Sequence, residues 1–197
     1  MPSVPTDFIL ASGSPRRRQI LSEDGWQFRI QSADVDEHED GMTPQELVEA
    51  NAHLKAEAVS REHPDALVLG SDTTVALGSE VLNKPKDGIE ARQMLRHLSG
   101  KSHHVLTSIV LIHKAADLDI TETISSRVQF KTLSDETIED YLSKVHTLDK
   151  AGGYAIQEHG DLIVEDYDEP LTNIIGLPME ALRQILITHG FDKLFRS

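Results

Sequence analysis

The chain contains no cysteine among its 197 residues. Disulfide bonds, thiolate zinc sites and a cysteine nucleophile are therefore excluded, and the composition fits a reducing compartment. Positive charge is also scarce, because 19 lysine and arginine residues stand against 33 aspartate and glutamate residues, for a formal net charge of −14. The backbone of DNA or RNA repels so acidic a protein unless it carries a local basic patch. We therefore expect no nucleic-acid partner.

Long hydrophobic runs are missing as well. The N-terminal segment has four consecutive apolar residues, Phe8 to Ala11, and its arginines follow them, which reverses the order found in a secretion signal. No apolar run approaches the roughly 18 residues that a membrane helix needs. Hydrophobic residues still make up 39% of the chain, which is enough for a folded core. We expect a soluble cytoplasmic protein, without membrane contact, that forms one domain over residues 1–197.

Strand and helix patterns alternate along the chain. Strands are predicted at residues 8–11, 26–32, 66–77 with an interruption near Gly70, 104–113, 120–132 and 162–164. Helices are predicted to begin after Ser14 and to cover about residues 44–62, 88–98, 135–145 and 178–190, with a glycine-rich loop over 148–160. This alternation predicts an α/β fold with a mixed β-sheet and flanking helices, arranged as two lobes around a cleft.

A turn of small residues, Ser12-Gly13-Ser14-Pro15, leads from the first strand into the first helix. Such a turn exposes backbone N–H groups at the positive end of the helix dipole, where phosphates bind readily. Arg16 and Arg17 follow it and add cations that suit phosphate oxygens. The turn therefore predicts a phosphate site, and the alternative is an ordinary capped helix with a basic first turn. It is not a Walker loop, because GxxxxGK[ST] occurs nowhere in the chain.

Acidic residues supply a second group of candidates. Asp72 follows an apolar run and Gly70, and a buried carboxylate must be paired, hydrogen-bonded or bound to metal. The acidic run of residues 34–40, which contains Glu37, offers hard oxygen ligands of the kind that Mg²⁺ or Mn²⁺ accepts. The alternatives are an Asp72 satisfied by neighbouring backbone and an acidic run that is a solvated loop.

Lysine, histidine and serine residues are the remaining candidates for chemistry. Lys55, Lys84 and Lys86 could hold phosphates, although surface lysines usually serve solubility. No HExxH motif occurs, and His103 and His104 would point to opposite faces of a strand, so no histidine metal site is expected. The serines of the N-terminal turn lack a GxSxG elbow, which argues against a serine hydrolase.

The chain resembles the Maf family of nucleoside triphosphate pyrophosphatases in five blocks that occur in order along nearly its whole length. These blocks are FILASGSPRRRQIL, the acidic Asp36-Glu37, LGSDTTVALGSEVLNKPKD, DKAGGYAIQEHG and NIIGLPMEAL. The resemblance implies hydrolysis of a nucleotide between its α and β phosphates. It also implies a fold similar to that of the inosine triphosphate pyrophosphatases, dependence on a divalent metal (Mg²⁺ or Mn²⁺) and a homodimer.

The resemblance further implies roles for individual residues. Arg17, with Ser12 and Ser14 of the same block, would contact the phosphates. Glu37 and Asp72 would organise the metal and the attacking water, while Lys55 and Lys84 would stabilise the charged transition state. Such a division suits a reaction that expels pyrophosphate, because cations absorb negative charge and acidic groups direct the water. Substrate choice is implied at Arg16, Thr73 and Gln157.

The block AGGYAIQ resembles the dTTP/UTP branch of the family and not the branch that acts on 7-methyl-GTP. The Gln157 amide offers one acceptor and two donors, which can match the N3–H and a carbonyl oxygen of uracil or thymine. A loop residue that caps a backbone turn is the alternative for Gln157. Two features depart from the family pattern: Gly153 replaces the usual alanine, and Asp168-Glu169-Pro170-Leu171 replaces a small Gly-Ser turn.

Two other functions would use the same residues. A nucleotide-binding regulator of septum formation would bind nucleotide stoichiometrically without significant turnover. A phosphatase that removes one phosphate at a time would release orthophosphate in place of pyrophosphate. The joint presence of Glu37, Asp72 and two lysines favours catalysis.

We predict that Arg17→Ala and Lys84→Ala each lower kcat/KM more than Lys193→Ala does. The first two residues belong to the phosphate-holding motifs, whereas Lys193 lies near the end of the chain. Steady-state kinetics on the best substrate test this order. Equal losses in all three variants would mean that diffuse surface charge attracts the nucleotide.

Overall fold

Seven strands form one mixed sheet in the computed structural model, which describes residues 4–196. They are β1 (Phe8–Leu10), β2 (Arg29–Ile30), β3 (Leu67–Leu77), β4 (Glu80–Leu82), β5 (Ser102–His113), β6 (Leu118–Phe130) and β7 (Val164–Tyr167). Their order is β2-β1-β3-β5-β6-β7, with β4 paired to β3. β1 runs parallel to β2 and β3, and the remaining pairs are antiparallel. The predicted mixed sheet is confirmed.

Eight α-helices flank this sheet in the described part of the chain. They are α1 (Pro15–Glu23), α2 (Pro44–Glu62), α3 (Gly88–Leu98), α4 (Asp135–Lys144), α5 (Gly160–Ile163), α6 (Leu171–Ile175), α7 (Met179–Thr188) and α8 (Asp192–Phe195). Ser14 and Ser134 cap α1 and α4 as predicted, and Thr43 forms the predicted capping box with Glu46. Every helix among residues 4–196 is too short or too polar to cross a membrane.

The predicted interruption near Gly70 is wrong, because β3 runs through it without a break. Gly70 is needed for a different reason. A Cβ atom there would lie 2.3 Å from the carbonyl oxygen of Ala52 and 2.8 Å from the Cβ of Ala56, both on α2. The glycine therefore allows α2 to pack directly against the backbone of β3.

Other differences concern short elements. The strand predicted over 26–32 is reduced to β2, an exposed pair of residues at the edge of the sheet. The strand predicted over 162–164 begins at Val164 and continues to Tyr167, because Leu162 and Ile163 belong to α5. The elements β4, α6 and α8 were not predicted. They contain three to five residues each, too few to show a hydrophobic period.

The hydrophobic core has three clusters, and β3 contributes to all of them. Leu67 and Leu69 belong to the cluster under α1, α7 and α8, and Val68 points to the opposite face and packs with α2. Val75, further along the strand, belongs to a cluster with residues of α3 and α4. The polar segment 71–74 lies between these clusters. A cleft lies beside this segment, at the middle of β3.

We predict that Gly70→Ala lowers the melting temperature, because the added methyl group overlaps the backbone of α2. Overpacking of this kind costs about 1–3 kcal/mol. Gly88→Ala is the matched control, since a Cβ at that position meets nothing within 4 Å and alanine favours helix formation at the start of α3. Calorimetry on both variants tests the prediction, and equal melting temperatures would show that α2 can move away at little cost.

Candidate functional site

A cleft of about 370 Å³ lies between the β1–α1 turn and the segment that connects α4 to α5. All ten predicted site residues line it: Ser12, Ser14, Arg16, Arg17, Glu37, Lys55, Asp72, Thr73, Lys84 and Gln157. These residues come from separate parts of the sequence between Ser12 and Gln157. The fold therefore brings the predicted set to one place, while the role of each residue stays a prediction.

The Lys55 ammonium group lies between two carboxylates in the cleft. Its Nζ donates to Glu37 Oε2 at 2.6 Å and to Asp72 Oδ1 at 2.7 Å. α2 supplies the lysine, β3 supplies Asp72, and the loop before α2 supplies Glu37. Asn51, one helical turn before Lys55, holds this loop, because its amide pairs with both the backbone N–H and the carbonyl of His38. Sequence reasoning missed Asn51.

Nearby cations keep Glu37 ionised. Burial raises the pKa of this carboxyl. The hydrogen bond and charge of Lys55, together with the charges of Lys84 and Arg17, lower it by more than burial raises it, so the pKa falls below its usual value. Lys84 has an exposed side chain and makes no hydrogen bond or ion pair with residues 4–196. Its ammonium group is therefore available to a ligand at the edge of the cleft.

The buried Arg17 guanidinium joins three segments of the chain. Nε donates to the carbonyl of Gly176 at 2.8 Å, Nη1 to Ser12 Oγ at 3.1 Å and Nη2 to Thr73 Oγ1 at 2.9 Å. Burial lowers its pKa, an effect that the charge of Asp72 opposes. Since Arg17 also organises the protein, Arg17→Ala removes these bonds together with a cation, and its kinetics need a parallel stability measurement.

The β1–α1 turn is shaped by hydroxyl groups and by close packing. Ser14 N donates to Ser12 Oγ at 3.3 Å, and Ser14 Oγ caps the first turn of α1 by accepting from the N–H of Arg17. A Cβ at Gly13 would lie 2.9 Å from Ser32 Oγ. The turn therefore has little room for larger side chains, and its small residues face the cleft at the start of a nine-residue helix.

Arg16 reaches across the cleft to the segment that precedes α5. Its Nη1 donates to Asp149 Oδ2 at 2.8 Å and its Nη2 to the carbonyl of Asp149 at 3.3 Å. The other carboxylate oxygen of Asp149 accepts from Lys150 Nζ at 2.9 Å, and Lys150 also lies 3.5 Å from Glu158 Oε1. Burial raises the pKa of Asp149, but Lys150 and Arg16 outweigh this and lower it to about 2.

Asp149 and Lys150 both line the cleft, and neither was among the predicted residues. A signal was present, because they open the block DKAGGYAIQEHG and place opposite charges next to a glycine-rich loop. Arg16, the partner of Asp149, is distant in sequence, so only the fold shows that these two charges meet.

Thr73 and Gln157 differ in how strongly they are held. The Thr73 hydroxyl accepts from Arg17 and lies 3.0 Å from the Thr107 hydroxyl, on the opposite face of β3 from Asp72. Gln157 lines the cleft, and its amide has no hydrogen-bond partner within residues 4–196. The described contacts thus give Gln157 no turn-capping role, and its donors and acceptor are available to a ligand.

Comparison with known proteins identifies the family. Residues 7–189 match the family model described as Maf-like protein, and the chain belongs to this family. A dTTP/UTP pyrophosphatase from Clostridioides difficile is 44% identical over 190 residues, which cover 96% of this chain and 98% of the relative. One from Akkermansia muciniphila is 44% identical over 184 residues, which cover 93% of this chain and 96% of the relative.

The fold also has a counterpart among solved structures. The Staphylococcus aureus Ham1 protein aligns with a TM-score of 0.51 at 15% sequence identity, covering 92% of this chain and 98% of that protein. At this identity the likeness concerns the fold alone. It agrees with the mixed α/β architecture described above.

Proposed function

We propose that this protein is a nucleoside triphosphate pyrophosphatase that hydrolyses dTTP and UTP to the monophosphate and pyrophosphate. The main structural support is the charge arrangement of the cleft, where Lys55 lies between Glu37 and Asp72 and the side chain of Lys84 is available nearby. Further support comes from the names of the relatives from Clostridioides difficile and Akkermansia muciniphila, which align over nearly their full length. By hydrolysing these nucleotides, the enzyme would remove them from the nucleotide pool, which is a house-cleaning role.

The two ends of the cleft differ in chemistry in a way that suits such a substrate. The β1–α1 turn, Arg17 and the lysines form a polar end that suits a triphosphate. Other side chains of the cleft lining are apolar or aromatic, belong to one hydrophobic cluster or pack against it, and suit a base: Val75, Val105, Tyr154, Ile156 and Ile174. This division supports a binding mode in which the phosphates would lie near the carboxylates and the base near the segment before α5.

The proposed reaction is the attack of water on the α phosphorus. The water oxygen forms the new bond, the bond from the α phosphorus to the bridging oxygen breaks, and pyrophosphate leaves with that electron pair. Asp72 or Glu37 would orient the water and accept its proton, since both are acceptors when ionised. Lys55, Lys84 and Arg17 would stabilise the charge that develops on the phosphate oxygens.

Glu37 and Asp72 would also hold a divalent metal ion. Mg²⁺ in phosphate-processing sites is held by one or two carboxylates together with substrate phosphates, and these two carboxylates already enclose one positive charge, that of Lys55. A bound Mg²⁺ or Mn²⁺ would supply additional stabilisation of negative charge on the phosphate oxygens.

Turnover distinguishes this proposal from a nucleotide-binding regulator, and the identity of the first product distinguishes it from a phosphatase. In the test, the protein is incubated with dTTP, UTP, CTP, ATP, GTP or 7-methyl-GTP in the presence of Mg²⁺ or Mn²⁺. Released pyrophosphate and orthophosphate are measured separately. Pyrophosphate release that is fastest with dTTP and UTP supports the proposal. Stoichiometric binding without release would favour the regulator, and orthophosphate as the first product would favour the phosphatase.

The homodimer and the cytoplasmic location stay predictions from the sequence. The dimer is supported by the resemblance to the Maf family alone. Sedimentation equilibrium on the purified protein tests it, because a mass of twice the chain's 21.9 kDa is expected.

We predict that Asp72→Asn leaves folding nearly intact and lowers turnover at least roughly a hundredfold, because the site loses a charged carboxylate that orients water and metal. An asparagine oxygen can still accept from Lys55, which retains Glu37 as its second partner. Asp166→Asn is the control, since Asp166 is an exposed residue of β7 that pairs with Arg127 of β6 and does not line the cleft. Near wild-type turnover of Asp72→Asn would assign this carboxylate a structural role only.

We predict that Gln157→Glu raises the ratio of CTP to UTP hydrolysis, even if both rates fall. The change removes two amide donors and sets an acceptor against a carbonyl oxygen of uracil or thymine. The N4 amino group of cytosine is a donor that the new carboxylate could accept. Values of kcat/KM for UTP, dTTP and CTP test this prediction.

The control for this prediction is Gln93→Glu, an exposed position on α3 that does not line the cleft. It makes the same change in net charge as Gln157→Glu, so it separates a local contact from a general electrostatic effect. An unchanged CTP to UTP ratio in Gln157→Glu, or a uniform loss on all three nucleotides, would remove Gln157 from base recognition.

A further inference from the structure

Tyr141 of α4 holds both backbone polar groups of a single residue in the cleft wall. Its hydroxyl donates to the carbonyl of Ala155 at 3.1 Å and accepts from the N–H of Ala155 at 2.9 Å. The tyrosine is fully buried, and burial raises its pKa to about 12, so the hydroxyl keeps the proton that it donates. One phenol therefore fixes the position of Ala155 with two buried hydrogen bonds.

Ala155 is the first residue of the turn that presents Gln157. Its carbonyl also accepts from the N–H of Glu158 at 3.2 Å, which closes a turn with Ile156 and Gln157 as the two central residues. The Gln157 side chain has no hydrogen-bond partner of its own within residues 4–196. Its location in the cleft is consequently set by the backbone of the turn, and that backbone is anchored through Ala155.

A second anchor lies one residue earlier. The Tyr154 hydroxyl is 2.7 Å from Nε2 of His103 on β5, and the Tyr154 ring makes edge-to-face contacts with His103 and Phe130 at 5.5 and 4.9 Å between ring centroids. Burial lowers the pKa of His103 to about 4, so the imidazole is neutral at physiological pH. Two consecutive residues are thus held by side chains that lie outside the cleft lining.

We propose that Tyr141 and His103 are positioning residues for base recognition, because they fix the backbone that places Gln157 against the pyrimidine edge. This inference rests on the proposed function, in which Gln157 reads the base. Specific hydrogen bonds need donors held within about 0.5 Å of their working position, and side chains locked by packing on rigid elements supply that accuracy. α4 and β5 are such elements, whereas the segment before α5 is a loop.

Tyr141→Phe tests the first anchor, because it deletes one oxygen and keeps the ring. We expect kcat/KM for UTP and dTTP to fall about 3- to 10-fold, mainly through a higher KM, with a smaller loss for CTP. The inhibition constant of inorganic tripolyphosphate, a competitor without a base, should stay within twofold of wild type. Tyr167→Phe on β7 is the matched control, since within residues 4–196 its hydroxyl makes no hydrogen bond and it does not line the cleft.

A double-mutant cycle shows whether Tyr141 acts through Gln157. If it does, Tyr141→Phe should change the UTP to CTP ratio in the wild-type background and leave it unchanged in a Gln157→Ala background. Amide hydrogen exchange should become faster over residues 155–158 and not in α7. If Tyr141→Phe fails to fold, Tyr154→Phe removes the neighbouring anchor and should shift the same ratio in the same direction.

The outcomes distinguish this inference from the proposed function. A wild-type protein that releases no pyrophosphate or does not prefer UTP over CTP would overturn both. A wild-type preference that survives in Tyr141→Phe and Tyr154→Phe, or an equal loss on tripolyphosphate and on every nucleotide, would overturn the positioning role and leave the proposed function standing.

Discussion

The three hydrogen bonds of the Arg17 guanidinium hold the cleft together. They connect the β1–α1 turn through Ser12, the middle of β3 through Thr73, and the connection between α6 and α7 through Gly176. The same network continues from Thr73 to the Thr107 hydroxyl, which donates to the carbonyl of Asn173 on α6. A charged group buried here needs several acceptors, and distant segments provide them. The Arg17 guanidinium therefore fixes the relative positions of three separate segments of the chain.

The Lys55 ion pairs show how a second buried cation is tolerated on the other face of β3. Removing one partner of a buried ion pair leaves an uncompensated charge, which destabilises the protein. The intact ion pair need not make the protein more stable than apolar residues of similar volume would. Glu37 and Asp72 together carry one more negative charge than Lys55 neutralises. The positive charges of Lys84 and Arg17 partly offset this excess negative charge. A cation that binds together with a polyanionic substrate would offset it as well. The arrangement suits a site that must hold both signs of charge close together.

The segment from Asp149 to Glu158 joins the two ends of the cleft. At its start, Asp149 binds Arg16 beside the β1–α1 turn, and further along Tyr141 and His103 hold the residues before Gln157. These contacts come from α1, α4 and β5, which belong to different parts of the core. A glycine-rich loop is thereby given a defined conformation in the wall of the cleft.

Much of the fold could be predicted from the sequence, because helix starts and buried strands depend on local chemistry, whereas cleft residues such as Thr73 and Gln157 were predicted from the resemblance to the Maf family. Capping residues such as Thr43 begin helices by bonding to neighbouring N–H groups, and apolar runs such as 66–69 form strands wherever they become buried. Gly70 shows where prediction from the sequence fails. The sequence suggested a break in β3, but glycine is needed there because α2 packs against the backbone of the strand. The partners of Arg17, the meeting of Arg16 with Asp149 and the Tyr141 anchor on Ala155 were decided by tertiary structure alone. Each joins atoms that only the packing of separate elements brings within hydrogen-bond distance.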